Sequence, residues 1–126
     1  MDFIKMATEE HPIHIFAIEI GGQAVGAIGY HPQDDVYRYS AEIGYWLAEP
    51  YWGKGYMSEI VSLFVKKVFE RTNVWRLFAG VFQTNVASMR VLEKAGFFQE
   101  GVLRKATFKD GEVLDEVRYG LLREEI

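Results

Sequence analysis

The sequence predicts one α/β domain of the α+β kind: a mixed, mostly antiparallel sheet flanked by helices. Three observations predict it. Segments of alternating polarity recur through residues 13–47 with turn residues between them. Two stretches with apolar residues at spacings of three and four, separated by the apolar run 74–82, read as amphipathic helices. The chain then closes on two alternating runs joined by Asp110 and Gly111, a strong short-range hairpin signal.

In chain order, residues 2–10 read as a short helix ended by His11 and Pro12, because the residue before proline is pushed out of the α region. Residues 13–20 alternate, Ile13, Ile15 and Ala17 against His14, Phe16 and Ile18, and form the opening strand. Gly21 and Gly22 turn it into a second strand, 23–30, and a loop over 31–39 leads to a third. In that third strand, 40–47, Ile43, Tyr45 and Leu47 share one face and Glu42, Gly44 and Trp46 the other. Pro50 stops it.

The helix that follows carries Met57, Ile60, Val61, Phe64, Val65 and Val68 on its core side and leaves Lys66, Lys67, Glu70 and Arg71 to solvent. Thr72 and Asn73 break it, and residues 74–82 form a central strand. A strand, helix, strand order implies a parallel crossover. Asn85 is placed to cap a second helix, with Val86, Met89, Val91, Leu92 and Ala95 as its apolar contacts, Lys94 in its last turn and Gly96 as its stop. The total is six strands and two or three helices in one domain, 1–126.

Composition excludes several classes of function. At 126 residues and 49% apolar, the chain is long enough to bury a core. With no cysteine there is no disulfide, thiolate nucleophile or thiolate metal site. His11, His14 and His31 lack helical metal-ligand spacing, so no metal is predicted. The N-terminus has neither the basic start nor the apolar core of a signal peptide, and no apolar run reaches the length of a membrane span, so the reading is a soluble cytoplasmic protein. A net charge of -4 without a basic cluster argues against nucleic acid as a partner and is compatible with a cationic amine.

Gly53, Lys54 and Gly55 open directly into the long helix. Amides at a helix start have no intrahelical acceptors and lie at the positive end of the helix dipole, so such a loop suits a phosphate; it also suits a plain tight turn. Two common phosphate loops do not fit: Tyr56 and Met57 stand where a Walker A loop has Lys and Ser or Thr, and Ser58 where a dinucleotide fingerprint has its third glycine.

Two stretches together are more specific. EIGYWLAEPYWGKGYMSE and, after one helix and one strand, TNVASMRVLEKAGFFQEGVLRK resemble the GNAT superfamily of acetyl-CoA-dependent N-acetyltransferases, especially the branch that acetylates N-termini of ribosomal proteins. The resemblance runs from about Ile13 to the C-terminus. It implies that the loop holds the pyrophosphate of acetyl-CoA through Gly53, Lys54, Gly55, Tyr56 and Met57. Trp52 and Met57 depart from the family's pattern of Gln or Arg, two residues, Gly, one residue, then Gly or Ala. It also implies that the preceding strand splays from its parallel neighbour, with backbone groups of Trp46 and Leu47 pairing with pantetheine. For Trp46 the competing reading is core packing.

Amine acetylation by direct attack needs a route for the amine's proton and a donor for the departing thiolate, and no enzyme nucleophile. The resemblance makes Glu42 the candidate base, against a solvated strand residue or salt-bridge partner. It makes Asn85 a cofactor contact as well as a cap, and Ser88 the candidate proton donor, against an ordinary first-turn serine; Tyr119 is the alternative donor. The family usually begins with a strand and two helices, and this sequence lacks the first strand and first helix. The opening strand is therefore expected as a sheet edge that a homodimer would cover. The acceptor is expected to be a primary amine, on a protein N-terminus or a small molecule. A non-catalytic acyl-CoA-binding module is the alternative.

Overall fold

A computed structural model gives the structure and describes residues 4–6 and 14–126. Among the described residues seven strands, β1 (Ile4–Met6), β2 (His14–Ile20), β3 (Gln23–Pro32), β4 (Ser40–Leu47), β5 (Arg76–Phe82), β6 (Phe98–Lys109) and β7 (Glu112–Leu122), form one sheet in the order β1-β2-β3-β4-β5-β7-β6. Helix α1 (Tyr56–Arg71) joins β4 to β5, and α2 (Val86–Lys94) joins β5 to β6. Every strand pair is antiparallel except β4 with β5, the parallel crossover expected from the strand, helix, strand order.

The start of the chain differs from the sequence reading. Ile4–Met6, expected within a helix over 2–10, is a strand with Ile4, Lys5 and Met6 opposite Ile18, Ala17 and Phe16; the rest of that predicted helix lies outside the described residues. Consequently β2 is not an edge along this stretch. Three residues carry too little local preference to reveal a strand, which forms because β2 offers an unpaired ladder.

One face of the sheet builds the core. Helix α1 buries Ile60, Val61, Phe64, Val65 and Val68 of the expected stripe, and Phe69 besides, against Ile28 of β3, Ala41, Ile43 and Leu47 of β4, and Leu77 and Ala79 of β5, while Met57, also expected there, is only partly buried. Phe64 sits edge-on to Phe16 of β2 at 5.7 Å between ring centres, which seats α1 across the sheet. Each such side chain contributes roughly 1.5–3 kcal/mol relative to exposure. Arg123 ties down the far end of α1: its guanidinium donates to the carbonyl of Phe69 in the last turn, which the helix leaves without a partner, and to those of Thr72 at the C-cap and Val74 in the link to β5.

The opposite face carries Glu42, Gly44 and Trp46. Trp46 is 60% exposed, so it is not a core residue: alternation turns it away from the face both helices cover. On this outer face Arg76 makes a bidentate pair with Glu100 at 2.7 Å, and Arg76 and Arg118 lie over the ring of Phe78 at 5.6 and 5.1 Å. These contacts hold β5, β7 and β6 together beside the place where β4 leaves them.

Candidate functional site

The parallel pairing of β4 with β5 covers three residue pairs, Ser40 with Arg76, Ala41 with Leu77 and Glu42 with Phe78. Beyond Glu42, β4 stays paired with β3 through Leu47, and β5 stays paired with β7 through Phe82. The two strands therefore diverge while each keeps its outer ladder, and a gap opens between them.

The hydrogen-bond register shows what faces this gap. Ala48 donates to the Val25 carbonyl at 2.8 Å, and antiparallel pairs alternate, so Trp46 and Gly44 exchange their bonds with β3. Ile43, Tyr45 and Leu47 turn their amides and carbonyls the other way, toward β5. The backbone expectation for Trp46 is corrected accordingly: its groups are spent on Ala27, and the gap-facing groups of Tyr45 with the Leu47 amide are the ones β3 leaves free. The Leu47 carbonyl already accepts the Trp52 indole N–H at 2.5 Å, a bond that anchors the glycine loop to the end of β4.

That loop delivers the second feature. Gly55, at φ 81°, precedes α1 in the left-handed region and caps it without a side-chain hydrogen bond, and Gly53 lies at φ 72°. An L-residue with a Cβ is disfavoured in that region. The first bond at the start of α1 runs from the Glu59 amide to the Gly55 carbonyl at 3.3 Å. Among the described residues, none of the amides of 53–58 donates to a protein acceptor. A row of unspent N–H groups at a helix start is an anion-binding arrangement.

Gap and loop open into one cleft of about 570 Å³, lined by the β4 end, the loop, the first turn of α1 and one side of α2. Of the residues singled out from the sequence, Trp46, Leu47, Gly53, Gly55, Tyr56, Met57, Asn85 and Ser88 line it. Lys54 is exposed on the loop and does not line the cleft. Glu42 stands on the outer face at the point of divergence, exposed, outside the cleft lining.

Asn85 caps α2 as its residue type predicts, its Oδ1 accepting from the Ser88 amide at 3.1 Å. This leaves the Asn85 side-chain N–H₂ uncommitted beside the cleft. Tyr119, the alternative donor, does not line the cleft: it is 1% exposed and donates to Glu93 at 3.0 Å. Burial, with that carboxylate bond second, raises its pKa.

Of the cleft residues that sequence reasoning did not assign to the site, Tyr45, Arg90 and Lys94 bear most on its chemistry. Tyr45, read only as a core-face residue, places its hydroxyl 2.7 Å from Ser88 Oγ; burial raises its pKa, against a smaller lowering by the Ser88 bond. Arg90 and Lys94, four apart on α2, add two cations to the lining. Their spacing was visible in the sequence, whereas the contact of Tyr45 with a residue 43 positions away was not.

A family model described as an acetyltransferase (GNAT) domain matches residues 1–98. The N-acetyltransferase YoaA of Bacillus subtilis (strain 168) is 37% identical over 101 residues, which are 80% of this chain and 56% of YoaA. The SPbeta prophage-derived N-acetyltransferase YokL of the same strain is 32% identical over 126 residues, 98% of this chain and 70% of YokL. Among solved structures, Mycobacterium smegmatis RimJ in complex with CoA-disulfide superimposes with a TM-score of 0.83 at 29% identity, over 90% of this chain and 55% of that one. The chain thus spans little more than half the length of YoaA and of RimJ.

Proposed function

Because the chain belongs to the GNAT acetyltransferase family, we propose that its cleft binds acetyl-CoA and that the protein transfers the acetyl group to a primary amine by direct attack. The observation that carries this reading is the conjunction of a strand gap with unspent backbone groups and a helix start with unspent amides, both opening into one cleft. The first suits an extended amide-bearing arm, and the second a pyrophosphate. The RimJ structure, solved with CoA-disulfide, supports the choice of ligand.

Bound acetyl-CoA supplies the activated thioester. The chain's own residues then divide the remaining work. The loop amides from Gly53 to Met57 hold the pyrophosphate, and exposed Lys54 adds a screened positive charge at its rim. Tyr45 and Leu47 offer backbone groups to the pantetheine arm, and the Asn85 side-chain amide offers a donor beside it. Ser88, in the first turn of α2, directs its hydroxyl at the departing sulfur. Glu42, at the divergence point on the outer face, receives the amine's proton directly or through a water.

The acceptor in this reading is a protein N-terminus or a small-molecule amine, entering from the outer face. Neither nucleic acid nor a metal takes part. Among the described residues no helix is long and apolar enough to cross a membrane, and the cytoplasm is the proposed location. A homodimer, expected from an exposed edge of the opening strand, is also proposed, although β1 pairs with that edge along Ile4–Met6; equilibrium sedimentation tests it. Steady-state thiol release from acetyl-CoA over a panel of peptide and small amines tests the activity. Release that depends on the amine supports acetyl transfer, whereas CoA binding without release on any acceptor would identify a non-catalytic binding module.

A further inference from the structure

We infer that Tyr45 is a positioning residue for acyl transfer, orienting the Ser88 hydroxyl across the cleft; this rests on the acetyl-CoA reading given above. Tyr45 projects from β4 and Ser88 from the first turn of α2, and their hydroxyl oxygens meet at 2.7 Å, with the Ser88 carbonyl 3.4 Å from the same phenol. The bond links the two walls of the cleft, since both residues line it.

A serine hydroxyl has one hydrogen and two lone pairs, and in a helix it readily turns back to bond a carbonyl one turn earlier. Here the Ser88 backbone is fixed through its amide by Asn85, and the remaining freedom lies in the hydroxyl rotor. When Tyr45 donates to Ser88 Oγ, the serine's own hydrogen is left for the cleft. Burial pushes the Tyr45 pKa upward, so its phenol keeps the hydrogen that this arrangement requires.

During transfer the amine nitrogen forms a bond to the acetyl carbon, and the carbon–sulfur bond breaks with its electron pair going to sulfur. Ser88 donates a hydrogen bond to that sulfur as charge develops. The amine's proton leaves through the base to solvent, and the thiolate takes a proton from water; Tyr45 begins and ends protonated. Its contribution is orientation.

The test is Tyr45→Phe, which keeps the ring and removes the hydroxyl, compared with Ser88→Ala and the double variant by thiol release and by calorimetry with CoA. Losing one oriented hydrogen bond predicts a fall in kcat of about tenfold for Tyr45→Phe. The KM for acetyl-CoA and the affinity for CoA should stay within about twofold, because the lost interaction strengthens only as the sulfur gains charge. The double variant should be no slower than Ser88→Ala alone, since the phenol acts through the serine. An unchanged kcat in Tyr45→Phe, a loss that multiplies with that of Ser88→Ala, or a change confined to KM and thermal stability would each overturn the assignment. A wild-type protein that binds no CoA would overturn the underlying reading of the cleft, an outcome distinct from normal wild-type turnover with an unaffected Tyr45→Phe.

Discussion

Glu42 and Phe78 are the last register partners of the parallel β4–β5 pair, and past them the two strands separate while β3 and β7 continue to hold their far sides. This relationship sets the geometry of the cleft. It frees the gap-facing backbone of Tyr45 and the Leu47 amide, and it places Glu42 where the outer face meets the gap.

Gly55→Val should weaken CoA binding. A Cβ there meets no protein atom within 4 Å, so packing does not forbid it; the φ of 81° does. A side chain in the left-handed region costs roughly 1–2 kcal/mol. Relaxing that strain rotates the amides at the start of α1 away from their common direction, and a β-branched group crowds the approach to them. Calorimetry should show CoA affinity reduced at least about tenfold; equal affinity in variant and wild type would refute the role of the loop.

Glu42→Gln should lower turnover chiefly at pH values below the acceptor amine's own pKa, where the base has a proton to remove, and less above it. The comparison is kcat/KM against pH for both proteins with one amine. Superimposable profiles would remove Glu42 from the mechanism.

The Arg76–Glu100 pair should appear in the acid stability of the fold. The Arg76 hydrogen bond, against a smaller opposing desolvation, holds the Glu100 carboxyl below its ordinary pKa. A carboxylate whose pKa is lower in the folded than in the unfolded state contributes stability above the unfolded pKa and loses it as pH falls through the folded one. Side-chain exposures of 29% and 38% keep the contribution to about 1 kcal/mol or less. Melting temperatures of Glu100→Gln should lie slightly below wild type at neutral pH and converge with it below the ordinary carboxylate range; a constant offset would contradict the assignment.

Arg123→Met should cost about 2–3 kcal/mol in denaturant unfolding, because it strands carbonyls at and just past the end of α1 that the guanidinium now satisfies. CoA affinity should be unaffected, since the cleft lies at the opposite end of that helix. A loss of CoA binding at unchanged stability would contradict this separation.

Much of this molecule was legible in the sequence because its elements keep strict periods. The alternation of 40–47 assigned the two faces of β4, and the three-and-four spacing of Ile60, Val61, Phe64, Val65 and Val68 named residues that α1 buries. Asn85 was legible as a cap, since capping is local. What escaped depends on partners distant in the chain. Ile4–Met6 is a strand because β2 is beside it, and the Tyr45 hydroxyl has a function only because the fold brings Ser88 to it. The exposure of Trp46 follows from the alternation already read, once the face without a helix is known.

In the proposed complex the backbone amides of the glycine loop and the first turn of α1 anchor CoA. Titrating CoA into ¹⁵N-labelled protein and following the amide resonances reads that anchor residue by residue. The largest shifts should fall on residues 53–58, with smaller ones on Tyr45, Leu47 and Ser88. Shifts that leave those amides unmoved, or that cluster on another surface, would contradict it.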